Sequence, residues 1–382
     1  MVEDVYKYTK NYSILRLVVT RDCNLNCKYC FVKKDSFKNM DYKTAKNAVD
    51  YFLKTPGKQK SLTFFGGEPL LKFSLIKKIT TYFYNKSKDK KIHFYMPTNG
   101  TIYNKEIGNF LKKNNFTMSV SLDGPNEIQM RNRPLKKGGK NFNQIIKNIK
   151  NLRATRVNAV VIPENAKYLE EIFLSLIKTQ VDTISLDIAR NVAWGKKELL
   201  EYQSGMNLIS NYCIKNIWPS ESDRRIYPFH DYFVSFLLKK EEDLTCCKAN
   251  EQMMTITPTG EIIPCVDFLR YDEEDLKRYS AGNINESLNL FNFKKIEEIM
   301  SFSINKCVPL EGFDHIKQNL VCSLKDYKNK SFTKNQLRLN CLLDEINYRV
   351  MKKAFIKMKE NEQFIKKLKK STFEDECGKK EI

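Results

Sequence analysis

The sequence predicts an α/β chain: a partial parallel (β/α)6 barrel, then a smaller cysteine-bearing domain and a terminal helix. Three observations carry this reading. Six short β-branched runs, each ending in turn residues, alternate with amphipathic helical stretches between Ser13 and about Ala189. The alternation fades from Cys246, where cysteines cluster and turn-rich stretches such as "TPTGEIIPC" and "AGNINE" appear. Beyond residue 343, Ile346, Val350, Phe355, Met358 and Ile365 recur near one helical face.

In order, the strands are SILRLVVT (13–20), SLTFF (61–65), IHFYM (92–96), FTMSVSL (116–122), VNAVVI (157–162) and DTISLDI (182–188). Their near-continuous apolar character suits a parallel sheet covered on both faces. Between them, Phe142, Ile145, Ile146, Ile149 and Leu152, and then Tyr168, Leu169, Ile172, Phe173, Leu176 and Ile177, fall at helical spacing. Six such units with right-handed crossovers predict a barrel-like sheet, with a doubly wound open sheet as the alternative. The expected organisation is an N-terminal extension (1–12), the core (13–195), a helical linking region (196–245), the cysteine-bearing domain (246–342) and a C-terminal helix and tail (343–382). Within the linking region, residues 226–243 are expected to form a helix.

Composition narrows the function. The formal charge is +21, from 66 basic and 45 acidic residues, which favours an acidic partner such as a peptide. The lysines are spread along the chain with no compact basic stripe interleaved with aromatics, which argues against nucleic-acid binding. The charged start MVEDVYKYTKNY lacks a signal-peptide core, and no apolar run is long enough to span a bilayer. The expectation is therefore a cytoplasmic protein with reduced thiols, in which the clustered ones among its eleven cysteines are metal ligands or reactive groups rather than disulfides, and Cys213 and Cys377, outside any motif, are incidental. Only three histidines occur, His93, His230 and His315, far apart, which speaks against His-rich metal sites and Ser-His-Asp triads.

The stretch TRDCNLNCKYCFV places Cys23, Cys27 and Cys30 at C-x3-C-x2-C, directly after the first strand. In parallel α/β folds that C-terminal edge is where sites form. Three thiolates can hold three irons of a cubane cluster and leave the fourth iron open. Zinc suits the set less well, since structural zinc takes four ligands and catalytic zinc favours His or Glu. Three further motifs fall at strand ends: GGEP (66–69), TNGT (98–101) and SLDGP (121–125). With the three-cysteine loop, in this order, they resemble the signature of radical S-adenosylmethionine (SAM) enzymes over about residues 13–190. The stretch RNRPLKKGGKNFNQIIKNIKNL (131–152) is similar to sulfatase-maturing and peptide-maturing members.

The resemblance implies a partial TIM-like barrel and a set of roles. Cys23, Cys27 and Cys30 would bind a [4Fe-4S] cluster whose open iron is chelated by SAM. Gly66 and Gly67 would let backbone approach the SAM amino group, with the Glu68 charge nearby. Thr98, Asn99, Ser121 and Asp123 belong to the matching motifs, Ser121 as a ribose or carboxylate contact. Arg133 would pair with the SAM carboxylate, a target that suits a guanidinium fork, with an exposed loop arginine as the plainer alternative. Tyr29 and the segment ARNVAWG (189–195) would flank the adenine.

The later cysteines resemble a SPASM or twitch auxiliary domain. Cys247, Gly260 and Cys265 form C-x12-G-x4-C, AGNINE (281–286) is similar to the turn that follows, and Cys322 and Cys341 close a C-x18-C. The full SPASM pattern holds more cysteines before the last one, and here only Cys307 precedes Cys322. The resemblance thus implies one auxiliary cluster on Cys247, Cys265 and Cys322, with Cys246, Cys307 or a substrate group as fourth ligand. Cys307 and Cys341 alone are too few for a second. A zinc site or buried structural cysteines are the alternative. Asp267 is the candidate base, but Val266 separates it from Cys265, whereas sulfatase-maturing relatives place an aspartate directly after the cysteine. In an extended segment that shift turns the side chain to the other face.

The expected function is a radical SAM enzyme that modifies a ribosomally made peptide. The product would be a thioether, a carbon–carbon crosslink or an epimerised residue. A reductant such as flavodoxin or ferredoxin would serve it. Leader recognition would be supplied elsewhere, by a separate binding protein, because only about a dozen residues precede the first strand. Anaerobic sulfatase maturation is the alternative, and a non-catalytic metal-binding adaptor a more remote one.

Overall fold

The computed structural model of the chain describes residues 12–33, 39–87, 89–190, 192–239, 252–286 and 334–376. In chain order the elements run β1 (Ile14–Thr20), α1 (Tyr42–Lys54), β2 (Gln59–Gly66), α2 (Phe73–Lys86), β3 (Lys91–Thr98), α3 (Lys105–Lys113) and β4 (Phe116–Ser121). They continue with α4 (Asn126–Asn132), α5 (Phe142–Asn151), β5 (Arg156–Val161), α6 (Leu169–Ile177), β6 (Thr183–Ile188), α7 (Lys196–Asn216), β7 (Arg225–Tyr227) and α8 (Phe229–Leu238). The last are β8 (Met253–Ile256), β9 (Ile262–Ile263), α9 (Glu273–Tyr279), α10 (Lys334–Met358) and α11 (Glu362–Glu376). The six strands of the sequence reading are β1 to β6, within a few residues at each end.

The chain divides into two compact units. The first holds residues 1–121, 132–154 and 247–303. Its strands lie in the order β4-β3-β2-β1-β8-β9. The β1–β2, β2–β3 and β3–β4 pairs are parallel, with Leu62 beside Phe94 and Phe94 beside Phe116. The second unit holds residues 122–131, 155–246 and 304–382, with β7-β6-β5 in parallel. In each unit the order of β1 to β7 follows the chain. That is the winding of a partial barrel, not the reversal of a doubly wound sheet.

The first unit's core is aromatic. Phe94 stacks on Phe116 with ring centroids 5.0 Å apart, and Phe64 stacks on Phe116 at 6.0 Å. At the start of β2, Lys60 is buried, and its Nζ donates to Tyr12 O (2.7 Å), Thr55 Oγ1 (2.7 Å) and Pro56 O (2.8 Å). Burial pulls its pKa down to about 8. Strand β8 lies parallel to β1, and β9 runs antiparallel to β8, so residues 252–286 extend the same sheet.

Two local expectations are corrected. Residues 226–243 do not form one helix: Arg225–Tyr227 pair with Thr183–Ser185 as a seventh strand, and α8 begins only after Pro228. β-branched and aromatic residues suit the strand, and proline suits a helix start because that amide needs no partner. The C-terminal helix is two, α10 and α11. Asn361 makes the break, its Oδ1 accepting from the Phe364 N–H at 2.8 Å as an N-cap.

In the second unit, Arg190 after β6 forms a two-pronged ion pair with Asp344 on α10, at 2.6 and 3.0 Å. Asp344 is 1% exposed. One turn on, Asn347 Oδ1 accepts from the buried Tyr202 hydroxyl at 2.7 Å. Cys213 is buried within α7, where burial pushes its thiol pKa up. Among the described residues, no helix is long and apolar enough to cross a membrane. Asp344 is buried but the Arg190 side chain is 26% exposed, so water offsets part of the loss and Asp344→Ala should lower stability by about 1–3 kcal/mol. Chemical unfolding of the two proteins checks this.

Candidate functional site

The three-cysteine loop leaves the C-terminal end of β1 and is fastened along both edges. Arg21, 2% exposed, donates from Nη2 to Leu269 O (2.9 Å) and Tyr271 O (3.1 Å). At the other end of the loop, the Lys33 N–H donates to the same Leu269 O at 2.9 Å. Residues 24–28 pair antiparallel with 132–136: Asn26 N–H to Pro134 O (2.8 Å), Lys28 N–H to Asn132 O (2.9 Å) and Lys136 N–H to Asn24 O (3.0 Å). Lys136 also pairs with Asp22 at 3.0 Å. Within the loop the Cys30 N–H donates to Cys27 O at 3.2 Å. Cys23 and Cys27 are half-buried and Cys30 is exposed.

The end of β2 presses against the start of this loop. A Cβ on Gly66 would lie 2.2 Å from Thr20 O, and one on Gly67 would lie 2.3 Å from Asp22 O. Backbone bonds from the Gly67 N–H to Thr20 O (2.9 Å) and the Glu68 N–H to Asp22 O (2.8 Å) hold the approach. The space a side chain would need at both positions is thus taken up by the loop's own backbone. That gives the glycine pair a reason the motif alone did not reveal.

Glu68 is fully buried. Its Oε1 accepts from the Leu70 N–H (3.0 Å) and the Thr98 hydroxyl (2.8 Å), and its Oε2 from the Asn99 N–H (2.7 Å). One carboxylate therefore joins the ends of β2 and β3. Burial pushes its pKa up to about 7 against the pull of these three bonds.

Asn99 leads from there to the cysteines. Its Oδ1 accepts from the Thr101 N–H (2.9 Å) and hydroxyl (2.6 Å), and its Nδ2 donates to Asn24 Oδ1 (2.8 Å) and Cys23 Sγ (3.6 Å). Asn24 Nδ2 returns to Thr101 Oγ1 at 2.8 Å. The Leu25 N–H also donates to Cys23 Sγ, at 3.4 Å. Burial raises the Cys23 pKa, and these donors pull it back. Gly100 sits at φ 75° with Val120 Cγ1 2.7 Å from any added Cβ, a position that demands glycine.

The remaining sequence candidates separate. Arg133, 7% exposed, lies with its guanidinium 5.2 Å from the centre of the Tyr29 ring, a cation–π contact. The structure thus brings together Cys23, Asn99, Thr98 and Glu68, and places Arg133 over Tyr29. Ser121 ends β4, half-buried. Asp123, in the second unit, serves the fold: its Oδ1 accepts from the Val160 N–H at 3.0 Å, and its own N–H donates to Gln129 Oε1 at 2.8 Å. Arg21, Asn24 and Thr101 are additions. Thr101 already stood in TNGT, but the other two carried no signal beyond adjacency to a cysteine.

Of the auxiliary cysteines, Cys265 is half-buried at the head of a 3-10 turn, Val266–Arg270. Asp267 rides on that turn, 3.8 Å from Arg270 Nη2, so the argument from strand alternation does not apply to it. In the turn before it Gly260 has φ 99°, and Gly260–Ile262 pair with Gly282–Ile284. Cys246, Cys247, Cys307 and Cys322 lie outside the described residues, as does the side chain of Cys341 on α10.

Among the described residues, no three His, Cys, Asp or Glu side chains converge as a metal-binding group. The donor set nonetheless suits an iron–sulfur cluster. Three soft thiols share one loop, and two N–H donors already face one of them, Cys23. Such donors stabilise thiolate.

Residues 17–176 match the family model described as the radical SAM superfamily. The chain is 35% identical over 226 residues to the uncharacterized protein MJ0907 of Methanocaldococcus jannaschii, covering 56% of this chain and 77% of that one. It is 27% identical over 332 residues to a cysteine-type anaerobic sulfatase-maturating enzyme of Clostridium novyi, covering 78% of this chain and 83% of the enzyme. Among solved structures, native anSMEcpe with bound AdoMet and Cp18Cys peptide superposes with a TM-score of 0.73 at 20% identity, over 90% of this chain and 99% of that one. Streptococcus suis SuiB bound to precursor peptide SuiA does so with 0.56 at 17%, over 80% and 70%. These likenesses establish the fold.

Two outcomes follow from the geometry. Gly67→Ala forces a methyl against Asp22 O and should destabilise by about 1–3 kcal/mol, with loss of iron uptake; unfolding midpoints and iron content measure both. The folded pKa of Glu68, near 7, lies above its ordinary 4.5. Its contribution to stability is therefore present below pH 4.5 and lost as pH rises toward 7. In the cluster-free chain, stability should fall across that window more steeply than in Glu68→Gln, as urea midpoints at several pH values would record.

Proposed function

The chain belongs to the radical SAM superfamily, and from that premise we propose that it modifies a peptide by abstracting a hydrogen atom from it. As a member of that family it is an enzyme that uses a [4Fe-4S] cluster and S-adenosylmethionine. When bound, these supply a 5′-deoxyadenosyl radical able to attack an unactivated C–H bond.

The chain's own residues hold, orient and shield. Cys23, Cys27 and Cys30 would ligate three irons of the cluster, leaving the fourth for the amino and carboxylate groups of SAM. The observation that carries this is the loop itself: three thiols at the C-terminal edge of β1, locked to the ends of β2 and β3 through Gly66, Gly67, Glu68 and Asn99. Arg133, kept in place over Tyr29, would pair with the SAM carboxylate. Ser121, at the end of β4, would contact the ribose or carboxylate. Asp123 and Thr98 act by fixing backbone and Glu68. A second cluster on Cys247, Cys265 and Cys322, and a flavodoxin-like or ferredoxin-like reductant, complete the reading.

A peptide substrate is supported by two likenesses, to anSMEcpe, whose structure holds the Cp18Cys peptide, and to SuiB, whose structure holds its precursor peptide. The formal charge of +21 suits an acidic peptide. Sulfatase maturation is the second reading, favoured by the identity to the Clostridium novyi enzyme over 83% of its length. The position of Asp267, one residue later than that reaction's base and beside Arg270, weighs against it.

The test is anaerobic reconstitution followed by incubation with SAM and a reductant. 5′-Deoxyadenosine should form, and Cys27→Ala should abolish it; cleavage retained in that variant would sink the cluster assignment. With a short acidic, cysteine-containing test peptide, mass spectrometry should detect modification. With a cysteine-type sulfatase peptide it should detect none, and loss of the cysteine sulfur there would establish the second reading instead.

A further inference from the structure

The geometry points to Asn99 as the residue that sets the reduction potential of the first cluster, by holding an amide N–H against the sulfur of Cys23. The inference rests on the reading of Cys23, Cys27 and Cys30 as cluster ligands and adds a function for a side chain that touches one of them.

An asparagine amide can face either way, and its orientation must be argued from its partners. Here it is over-determined. The Thr101 N–H lies 2.9 Å from Asn99 Oδ1, and a backbone N–H can only donate. The atom facing it is therefore the oxygen. That leaves Nδ2 directed at Asn24 Oδ1 (2.8 Å) and Cys23 Sγ (3.6 Å). Asn24 spends its own Nδ2 on Thr101 Oγ1, so its oxygen is the group left to receive Asn99. The three side chains form a closed ring of hydrogen bonds, and no rotation of one amide keeps the others satisfied.

The ring is also anchored from behind. The Asn99 backbone N–H donates to Glu68 Oε2 at 2.7 Å, and Glu68 is buried with two further donors on its other oxygen. Asn99 is 6% exposed. Its N–H is thus a fixed dipole in a place with little water to compensate for its loss. Reduction adds negative charge to a cluster and its sulfurs. A fixed donor stabilises that charge and raises the potential, one of the means by which a protein tunes such a centre. The Leu25 N–H makes a second bond to the same sulfur, but it belongs to the cysteine loop itself. Asn99 is the donor brought in from another strand.

The experiment uses the full-length, cluster-loaded protein without SAM. Potentials are read by redox titration monitored by electron paramagnetic resonance, with iron content measured on every sample. Asn99→Leu, close in shape but without a donor, should move the midpoint of the first cluster to a more negative potential at unchanged iron content. Thr101→Val removes the hydroxyl that steers the amide but leaves Asn99 and the Thr101 N–H. It should move the midpoint the same way, by less. Iron–sulfur stretching bands in resonance Raman spectra should shift in the same order. An unchanged midpoint in fully loaded Asn99→Leu would overturn the inference and leave Asn99 a merely structural residue. If Asn99→Leu fails to take up iron, Asn99→Ala, which removes the same donor without adding bulk, decides, and an unshifted midpoint there at full iron content overturns it. Failure of the underlying reading looks different: a combined Cys23→Ala, Cys27→Ala, Cys30→Ala protein would keep all of its iron.

Discussion

A carboxylate with no exposed surface is an expensive thing to bury, and the site is organised around one. Glu68 loses its hydration and receives only three hydrogen bonds in return, from Leu70, Thr98 and Asn99. Those bonds come from two chain segments that lie beyond the paired part of β2 and β3, the turn after β2 and the end of β3. Because the group cannot find water, moving either segment leaves it unsatisfied. The elements that must converge are thereby made to converge. The same segment carries the two glycines, which have no side chain to keep β2 from the backbone of Thr20 and Asp22. Together they fix where the cysteine loop begins.

The loop's other attachments act by number. Backbone pairing with 132–136 covers one edge, and Arg21 and Lys33 bind the other to residues 269–271. The Arg21 bonds reach across the chain by 248 and 250 residues. They mean that the segment carrying Cys265 and Asp267 is hydrogen-bonded to the loop carrying the first three cysteines. A disturbance at either would be felt by the other through the buried Arg21 guanidinium and the Lys33 N–H. The second unit uses a comparable device, Arg190 with Asp344, to hold the C-terminal helix against the end of β6.

Much of this was legible in the amino acids. Six strands could be read from β-branched runs, because a strand covered on both faces must be apolar at successive positions. The three-cysteine loop could be placed at a strand end by chain order alone. Other features were not legible, for a common reason. β7 is three residues long and gains its identity only from pairing with β6. The break between α10 and α11 depends on one asparagine cap in an otherwise helical pattern. Asp123 stood in the SLDGP motif, but no local pattern showed that its Oδ1 would accept from the Val160 N–H of β5.

By itself, then, the sequence determined the winding of the chain and the kind of chemistry it carries. Periodicity, turn residues and the spacing of thiols are local properties, and a neighbour in sequence is enough to express them. Only the tertiary structure decided which polar groups face one another: that Glu68 holds Asn99, that Asn99 reaches Cys23, and that Arg21 holds Leu269 and Tyr271. Hydrogen bonds are short and directional. Whether two groups far apart in the chain can form one depends on where the whole fold puts them, to within a fraction of an ångström, and no local pattern encodes that.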